Sequence, residues 1–252
     1  MSELSPAVAV VQKSLDAYNA HDADTFADCL AEGVRIGDEP YLTVGKQANR
    51  NGFAELFASS PHLYCTLLGC MLLGQYVIDK EYITGMAKPL VCLSVNRVVG
   101  GKIVSISFLD EDPKPGSEAD SSISTADGTA EFSPAVEVLQ RSLEAFNARD
   151  AQAFTDCLAD EVVIGDEPYQ TVGKAACYER YLGLFTRNPQ INVTLLGRMV
   201  LAPYILDKEY VTGAGDAPFT AISINHVVNG KIASIRFLEA EEPSDEPSEQ
   251  AS

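Results

Sequence analysis

The most restrictive feature of this chain of 252 residues is an internal repeat. The segment Gly37–Tyr41 recurs, with every residue identical, as Gly165–Tyr169. The offset between the copies is constant at 128 positions, as from Pro6 to Pro134, and it increases by one after Gly85. More than half of the paired residues are identical. Each copy spans about 105 residues, the size of a whole domain rather than of a solenoid repeat, so the chain is a duplicated domain.

The net charge of −18 is concentrated in two segments outside the repeats. The stretch from Asp110 to Glu131 holds seven acids and one lysine, and the stretch from Glu239 to the C-terminus holds six acids and no base. Both are rich in Ser, Pro, Glu and Asp, a composition typical of disorder. The sequence therefore predicts a first domain over residues 1–112, a flexible acidic linker over 113–132, a second domain over 133–240 and a disordered acidic tail over 241–252.

Composition also argues against several classes of partner. Because no basic stripe offsets the acids, we expect no nucleic-acid partner. No apolar run reaches the about 18 residues of a membrane span, and the first residues lack the pattern of a signal peptide, so we expect no membrane partner and a cytoplasmic location. The six cysteines form no CxxC motif and no Cys/His cluster. We therefore expect no disulfide framework, no metal site and no cofactor.

Each copy has a helical first half and a strand-rich second half. In the first copy, apolar residues at helical spacing from Val8 to Tyr18 predict one helix, a short second helix follows, and a third covers about 46–58. The Asn229-Gly230 pair in the second copy predicts a tight hairpin. This order predicts an α+β domain whose curved sheet leaves a pocket beneath the helices. The strands predicted in the first copy are 34–36, 64–73, 76–84, 90–99 and 102–109.

The second copy contains a set of segments that is typical of one superfamily. The segments are Leu143–Asp150, Phe154, Cys157–Val163, Ile205–Gly213 and Asn229–Ile232. With them, the chain resembles the SnoaL-like, ketosteroid-isomerase-like branch of the nuclear transport factor 2-like superfamily, over nearly the full length of both copies. The resemblance implies two tandem cone-shaped α+β barrels, each with three helices packed on a curved, mainly antiparallel sheet. It also implies a covalent pseudo-dimer in which the two copies pair, and it leaves further dimerisation of the chain open.

The resemblance also implies a general base. Asp38 and Asp166 follow the first strand at the spacing of the catalytic carboxylate of ketosteroid isomerases, which shuttles a proton at the mouth of an apolar pocket. The alternative is structural, because Asp-Glu-Pro is favourable turn chemistry. Both interpretations remain open at this stage.

The polar groups that would accompany this base differ from those of the isomerases. Where the resemblance implies an oxyanion-hole tyrosine and aspartate, this chain has serines, and Tyr18 lies one helical turn away in the first copy only. Ser94 and Asn96 share one face of a strand. If that face is concave, they orient a ligand; if it is convex, they contact solvent. The predicted ligand-binding residues are Ser14, Tyr18, Ser94, Asn96, Ser142, Ser223 and Asn225.

A second set of acids offers an alternative site. Asp79 and Glu81, repeated as Asp207 and Glu209, share one face of a strand. Two acids on one face suit water activation, but such pairs also contact solvent or form salt bridges between domains. Lys80 points to the opposite face and cannot neutralise them within the strand.

Two hypotheses of function follow from these residues. In the first, the chain is a SnoaL-like pocket protein that acts as a cofactor-free isomerase, cyclase or hydratase, with an aspartate as general base on an apolar, oxygenated small molecule. In the second, it is a non-catalytic ligand-binding or assembly scaffold, and Asp38 is exposed in its turn. The third helix differs most between the copies, which predicts that the two pockets have diverged or that one has become structural.

Overall fold

The computed structural model describes residues 5–110 and 133–240, so the predicted linker and tail lie outside the described residues. The first unit begins with three helices interleaved with two strands and ends with four long strands. Its elements are α1 (Pro6–Asn19), α2 (Ala23–Asp28), β1 (Leu30–Ile36), β2 (Thr43–Val44), α3 (Lys46–Ser59), β3 (Tyr64–Leu73), β4 (Tyr76–Thr84), β5 (Leu90–Val99) and β6 (Lys102–Asp110).

The second unit repeats this order. Its elements are α4 (Pro134–Ala148), α5 (Ala151–Asp156), β7 (Leu158–Ile164), β8 (Thr171–Val172), α6 (Lys174–Arg187), β9 (Asn192–Leu201), β10 (Tyr204–Thr212), β11 (Phe219–Val228) and β12 (Lys231–Glu239). The sheet orders are β2-β1-β6-β5-β4-β3 and β8-β7-β12-β11-β10-β9. All neighbouring strands are antiparallel except the pairs β1–β6 and β7–β12. Three helices on a mainly antiparallel sheet in each unit confirm the predicted α+β class.

Local sequence signals account for where these elements begin and turn. The Ser5 side chain accepts a hydrogen bond from the Val8 amide at 3.3 Å, and Pro6 occupies the first turn of α1, so both favour a helix start. The predicted tight turn between β11 and β12 is present: Asn229 and Gly230 have φ values of 51° and 69°, the left-handed conformation that these two residue types tolerate.

An asparagine fastens the end of the first helix to the edge of the sheet. The Asn19 amide donates to the Cys65 carbonyl at 2.9 Å, and its side-chain oxygen accepts from the Cys65 amide at 2.8 Å. Asn147 makes the same pair of bonds with Val193 in the second unit, each at 2.8 Å. Helix and edge strand are therefore held at a fixed separation beside the space between them.

The two units pack against each other through the faces of their sheets that point away from the helices. Ile78 and Leu93 of the first unit join Leu206 and Ile222 of the second in one cluster, and all four are completely buried. Two lysines reinforce this contact. The Lys80 ammonium donates to the carbonyl of Val200, and the Lys208 ammonium donates to that of Leu72, both at 2.7 Å.

Strand alternation then sets what faces the helices. On β4, Ile78 and Lys80 face the other unit, so Val77, Asp79 and Glu81 face the helical side. Within the described ranges, no helix is both long and apolar enough to cross a membrane.

Candidate functional site

The first unit encloses a cavity between its helices and the concave face of its sheet. The cavity has a volume of about 410 Å³, within the range of about 300–1,000 Å³ of small-molecule sites. Its walls are mostly apolar, and helices α1 and α3 form one side of it. The lining residues are Val11, Ser14, Leu15, Tyr18, Phe26, Phe53, Leu56, Cys65, Asp79, Glu81, Ile83, Met86, Leu90, Cys92, Ser94, Asn96, Ile106 and Phe108.

Two carboxyl groups project into this apolar space from β4. Asp79 is only 4% exposed, and among the described residues no group donates a hydrogen bond to its Oδ1 atom. Glu81 is partly buried and accepts a hydrogen bond from the Ser94 hydroxyl at 2.6 Å. Burial raises the pKa of both carboxyl groups above their ordinary values, and the charge of Asp79 adds to the rise at Glu81. Both acids are thus biased towards the neutral form.

Hydroxyl, amide and thiol groups surround Glu81. The Asn96 amide donates to the Ser94 hydroxyl at 3.1 Å and to the Val77 carbonyl at 3.2 Å, which fixes the serine that bonds Glu81. The Cys92 thiol lies 3.9 Å from the second oxygen of Glu81. Burial raises the pKa of Tyr18, with a further rise from Glu81, so its phenol keeps its proton. Glu81 therefore lies among hydroxyl, amide and thiol groups rather than beside a second charged partner on β5.

The corresponding acids of the second unit, Asp207 and Glu209, have different partners. Arg198 on β9 donates from Nε and Nη2 to the two carboxylate oxygens of Asp207, both at 2.6 Å. Burial raises the pKa of Glu209 to about 7, partly offset by the hydrogen bond from Ser223 and by the charge of Arg198. Cys70 occupies the position of Arg198 in the first unit. Burial and the neighbouring Asp79 raise the pKa of its thiol to about 12, so it supplies no charge.

The groups around the second acid pair also differ from those of the first. Tyr18, Cys65 and Cys92 of the first unit correspond to Phe146, Val193 and Ala221, whereas Phe53 corresponds to Tyr181, whose pKa is raised by burial and further by Glu209. Among the described residues, Ser223 donates a side-chain hydrogen bond to Glu209. Apolar residues of all three helices and the sheet form one continuous core there, whereas the corresponding residues of the first unit fall into two clusters. The two units therefore share a fold but differ in the chemistry of their interiors.

The structure places the residues predicted from the sequence in two groups. Those of the first group line the cavity: Ser14, Tyr18, Ser94, Asn96, Asp79 and Glu81. The second group consists of their counterparts, which are buried or partly buried inside the second unit: Ser142, Ser223, Asn225, Asp207 and Glu209. The face that carries Ser94 and Asn96 is thus the concave one. The Ser14 and Ser142 hydroxyls donate to carbonyls of their own helices, at 2.8 and 2.9 Å.

Asp38 and Asp166 lie apart from these groups. Asp38 is exposed in the turn after β1, where its carbonyl accepts from the Tyr41 amide at 2.8 Å, and it does not line the cavity. Asp166 is also exposed and pairs with Arg236 at 3.0 Å. The turns after β1 and β7 place Asp38 and Asp166 in solvent, which fits the interpretation of both residues as part of a turn.

Sequence reasoning did not identify Cys65, Cys92 or Arg198 as parts of these sites. A signal for the arginine was available: β9 and β10 are joined by only two residues, so Arg198 is the cross-strand partner of Asp207. In the described ranges, no group of three or more His, Cys, Asp or Glu side chains is placed to hold a metal ion.

Comparison with known families agrees with this architecture. The SnoaL-like domain model matches residues 11–106 and again residues 139–235. The chain belongs to the SnoaL-like family. This confirms the resemblance inferred from the sequence, with one family domain in each unit. A comparison with curated proteins finds no match.

Three solved structures are among those similar to this SnoaL-like chain. A SnoaL-like protein of unknown function from Burkholderia thailandensis is 17% identical and covers 44% of this chain and 100% of its own, with a TM-score of 0.39. A candidate polyketide cyclase from Sinorhizobium meliloti is 18% identical, with coverages of 42% and 100% and a TM-score of 0.38. A candidate ketosteroid isomerase from Kribbella flavida is 22% identical, with coverages of 45% and 85% and a TM-score of 0.37.

Proposed function

We propose that the first unit binds an apolar, oxygenated small molecule in its cavity and transfers protons to and from it through Glu81 and Asp79. One observation carries this proposal: two carboxyl groups with raised pKa project into an apolar cavity of about 410 Å³. General acids and bases are most effective when their pKa lies near the working pH, and burial moves carboxyl groups in that direction.

Each lining group has a role in this proposal. Neutral Glu81 donates a proton to the ligand, and Asp79 accepts one from it. The pair thus takes the proton-transfer role that the family resemblance implies for Asp38. Ser94, held by Asn96, fixes the Glu81 carboxyl, and the Tyr18 hydroxyl is a donor for a ligand oxygen. Isomerisation, cyclisation and hydration are the reaction classes that proton transfer of this kind supports, and the carboxyl groups themselves supply the proton.

The second unit, in this proposal, is a structural partner. Asp207 of its acid pair is bound by Arg198, and its sheet supports the sheet of the first unit through the shared hydrophobic cluster. The chain would then behave as a covalent pseudo-dimer with one working cavity. The cytoplasmic location expected from the sequence remains a prediction.

A thermal-shift screen followed by turnover assays tests the proposal. The library contains steroids, aromatic polyketide analogues, terpenoid epoxides and fatty-acid analogues. A ligand at about 100 times its Kd stabilises the folded state by about 2.7 kcal/mol. Glu81→Gln should abolish turnover of a hit while the hit still binds, and Glu209→Gln in the second unit is the matched control. Full turnover by Glu81→Gln, or loss of turnover only in the control, would refute the assignment.

A second candidate function is a non-catalytic binding module. The exposure of Asp38 and Asp166 favours it, because the acids implied by family resemblance are absent from the cavity. It predicts hits in the screen that are recovered chemically unchanged after long incubation with wild-type protein. Conversion of any hit that depends on Glu81 would exclude it.

A further inference from the structure

The lining of the first cavity holds two carboxyl groups and, among the described residues, no positively charged side chain. Asp79 and Glu81 are its ionisable acids, and no Lys, Arg or His occurs among the described residues that line it. Asp79 is more than nine-tenths buried, and its Oδ1 atom has no donor within the described ranges. A buried carboxyl oxygen without a donor favours a positively charged or hydrogen-bond-donating group beside it.

In the second unit, the aspartate at this position binds a positively charged group. There the corresponding aspartate is bound by a guanidinium, which Arg198 supplies from the neighbouring strand. In the first unit, Cys70 stands at that position; like Arg198, it borders the space between the two sheets. The duplication therefore provides an internal comparison in which the cation is present in one copy and missing from the other.

Aromatic rings add a second source of attraction for a cation. Phe26 and Phe53 both line the cavity, with their ring centroids 4.3 Å apart, and Tyr18 contacts Phe53 edge-on at 6.2 Å. The faces of aromatic rings attract cations that lie within about 6 Å of the ring centroid. The carboxyl groups and the aromatic ring faces therefore both favour a positively charged group in the ligand.

We propose that the first cavity recognises an apolar organic molecule that carries a positively charged centre. This inference rests on the proposed function, because it specifies the ligand of the same site. It also specifies the reaction intermediate. When Glu81 protonates a substrate double bond, its O–H bond breaks, a C–H bond forms from the π electrons, and the neighbouring carbon becomes cationic. Loss of a different proton to Asp79 restores a double bond, and proton exchange with water then returns Asp79 and Glu81 to their starting forms, so no oxidant or reductant is needed.

A reaction through an anionic intermediate would be disfavoured in this cavity. An enolate in this cavity would have no cationic group in the described lining to balance its charge, and an unpaired charge in a poorly solvated site is costly. The inference therefore favours isomerisation, cyclisation or hydration through a cation over the same reactions through an enolate.

The test compares the binding of three small probes of similar size to the whole chain of 252 residues by isothermal titration calorimetry at pH 8. They are benzyltrimethylammonium, the neutral alcohol 2-methyl-1-phenyl-2-propanol, and phenylacetate. We expect benzyltrimethylammonium to bind at least tenfold more tightly than the alcohol, and phenylacetate to bind most weakly. Equal or tighter binding of the alcohol or of phenylacetate would overturn the inference but leave the small-molecule pocket intact. No binding of any probe at millimolar concentration would overturn both.

Variants locate the charge preference in the first unit. Cys70→Arg installs the arrangement of the second unit, so it should weaken benzyltrimethylammonium binding at least tenfold and change alcohol binding less than twofold. Glu81→Gln, which preserves the size of the side chain, should also reduce the preference for the ammonium probe. Glu209→Gln is the matched control and should leave all three affinities unchanged. An unaltered preference in both first-unit variants would overturn the inference.

Discussion

Replacing Arg198 with cysteine removes the guanidinium that holds both carboxylate oxygens of Asp207. The two side chains are 14% and 5% exposed, so water replaces little of the lost interaction. With charge centres about 4 Å apart and an effective dielectric constant of about 20, the attraction is about 4 kcal/mol. Removing one member of a buried pair typically costs about 3–5 kcal/mol, because the other charge is left uncompensated. We therefore expect Arg198→Cys to lower the free energy of unfolding of the second unit by about 4 kcal/mol at pH 7.

Urea denaturation followed by circular dichroism measures this loss, and hydrogen exchange at the amides of β10 and β11 assigns it to the second unit. The chain contains no tryptophan, so tyrosine fluorescence is the optical alternative. The double variant Arg198→Cys/Asp207→Asn should recover most of the stability, since it also removes the unpaired charge. Cys70→Ser is the matched control, with an expected change below about 1 kcal/mol. A loss below about 1 kcal/mol for Arg198→Cys would show that the pair behaves like an exposed salt bridge, and the reasoning would be refuted.

Three further predictions concern single side chains. Burial raises the pKa of Glu209 from 4.5 to about 7. As pH rises through this range, Glu209 therefore loses its proton in the unfolded protein before it does so in the folded protein, and the free energy of unfolding falls. Glu209→Gln should therefore stabilise the protein by up to about 3 kcal/mol at pH 8 relative to pH 4, and a pH-independent effect on the urea midpoint would contradict this. Tyr18→Phe should change stability by less than about 1 kcal/mol but weaken a bound oxygenated ligand by about tenfold in calorimetry, whereas unchanged affinity would remove the hydroxyl from the site. Asn19→Ala should cost about 2 kcal/mol in urea denaturation, because a backbone donor and acceptor on β3 lose their partner; a cost below about 0.5 kcal/mol would show that water replaces both bonds.

Local pattern was sufficient to predict most of the fold. The apolar spacing from Val8 to Tyr18 and the strand-forming runs gave elements within a few residues of those observed, because helices and strands of this length carry strong periodic signals. Alternation along β4 and β5 correctly grouped Asp79 with Glu81 and Ser94 with Asn96. The two-residue strand β2 was not predicted, since a pair of residues carries no periodicity.

The position of the candidate site could not be predicted from local sequence pattern alone, because it depends on tertiary packing. Alternation states which residues share a face but not which face is concave, and concavity follows from how the whole sheet packs on the helices. Asp38 had the spacing of a catalytic base, yet the turn that carries it ends in solvent. The contact between Arg198 and Asp207 follows from hairpin register, but its burial depends on the helices above.

The reciprocal lysine contacts between the units have a consequence for how the two halves of the gene can change. Lys80 and Lys208 each bind a main-chain carbonyl, at Val200 and Leu72, so the contact does not depend on which side chain those positions carry. The residues there already differ without altering either bond length. These two contacts add to the hydrophobic cluster between the sheets, and neither constrains the side chain at the position that it binds. The interiors of the two halves can therefore accumulate substitutions independently within a single inherited polypeptide.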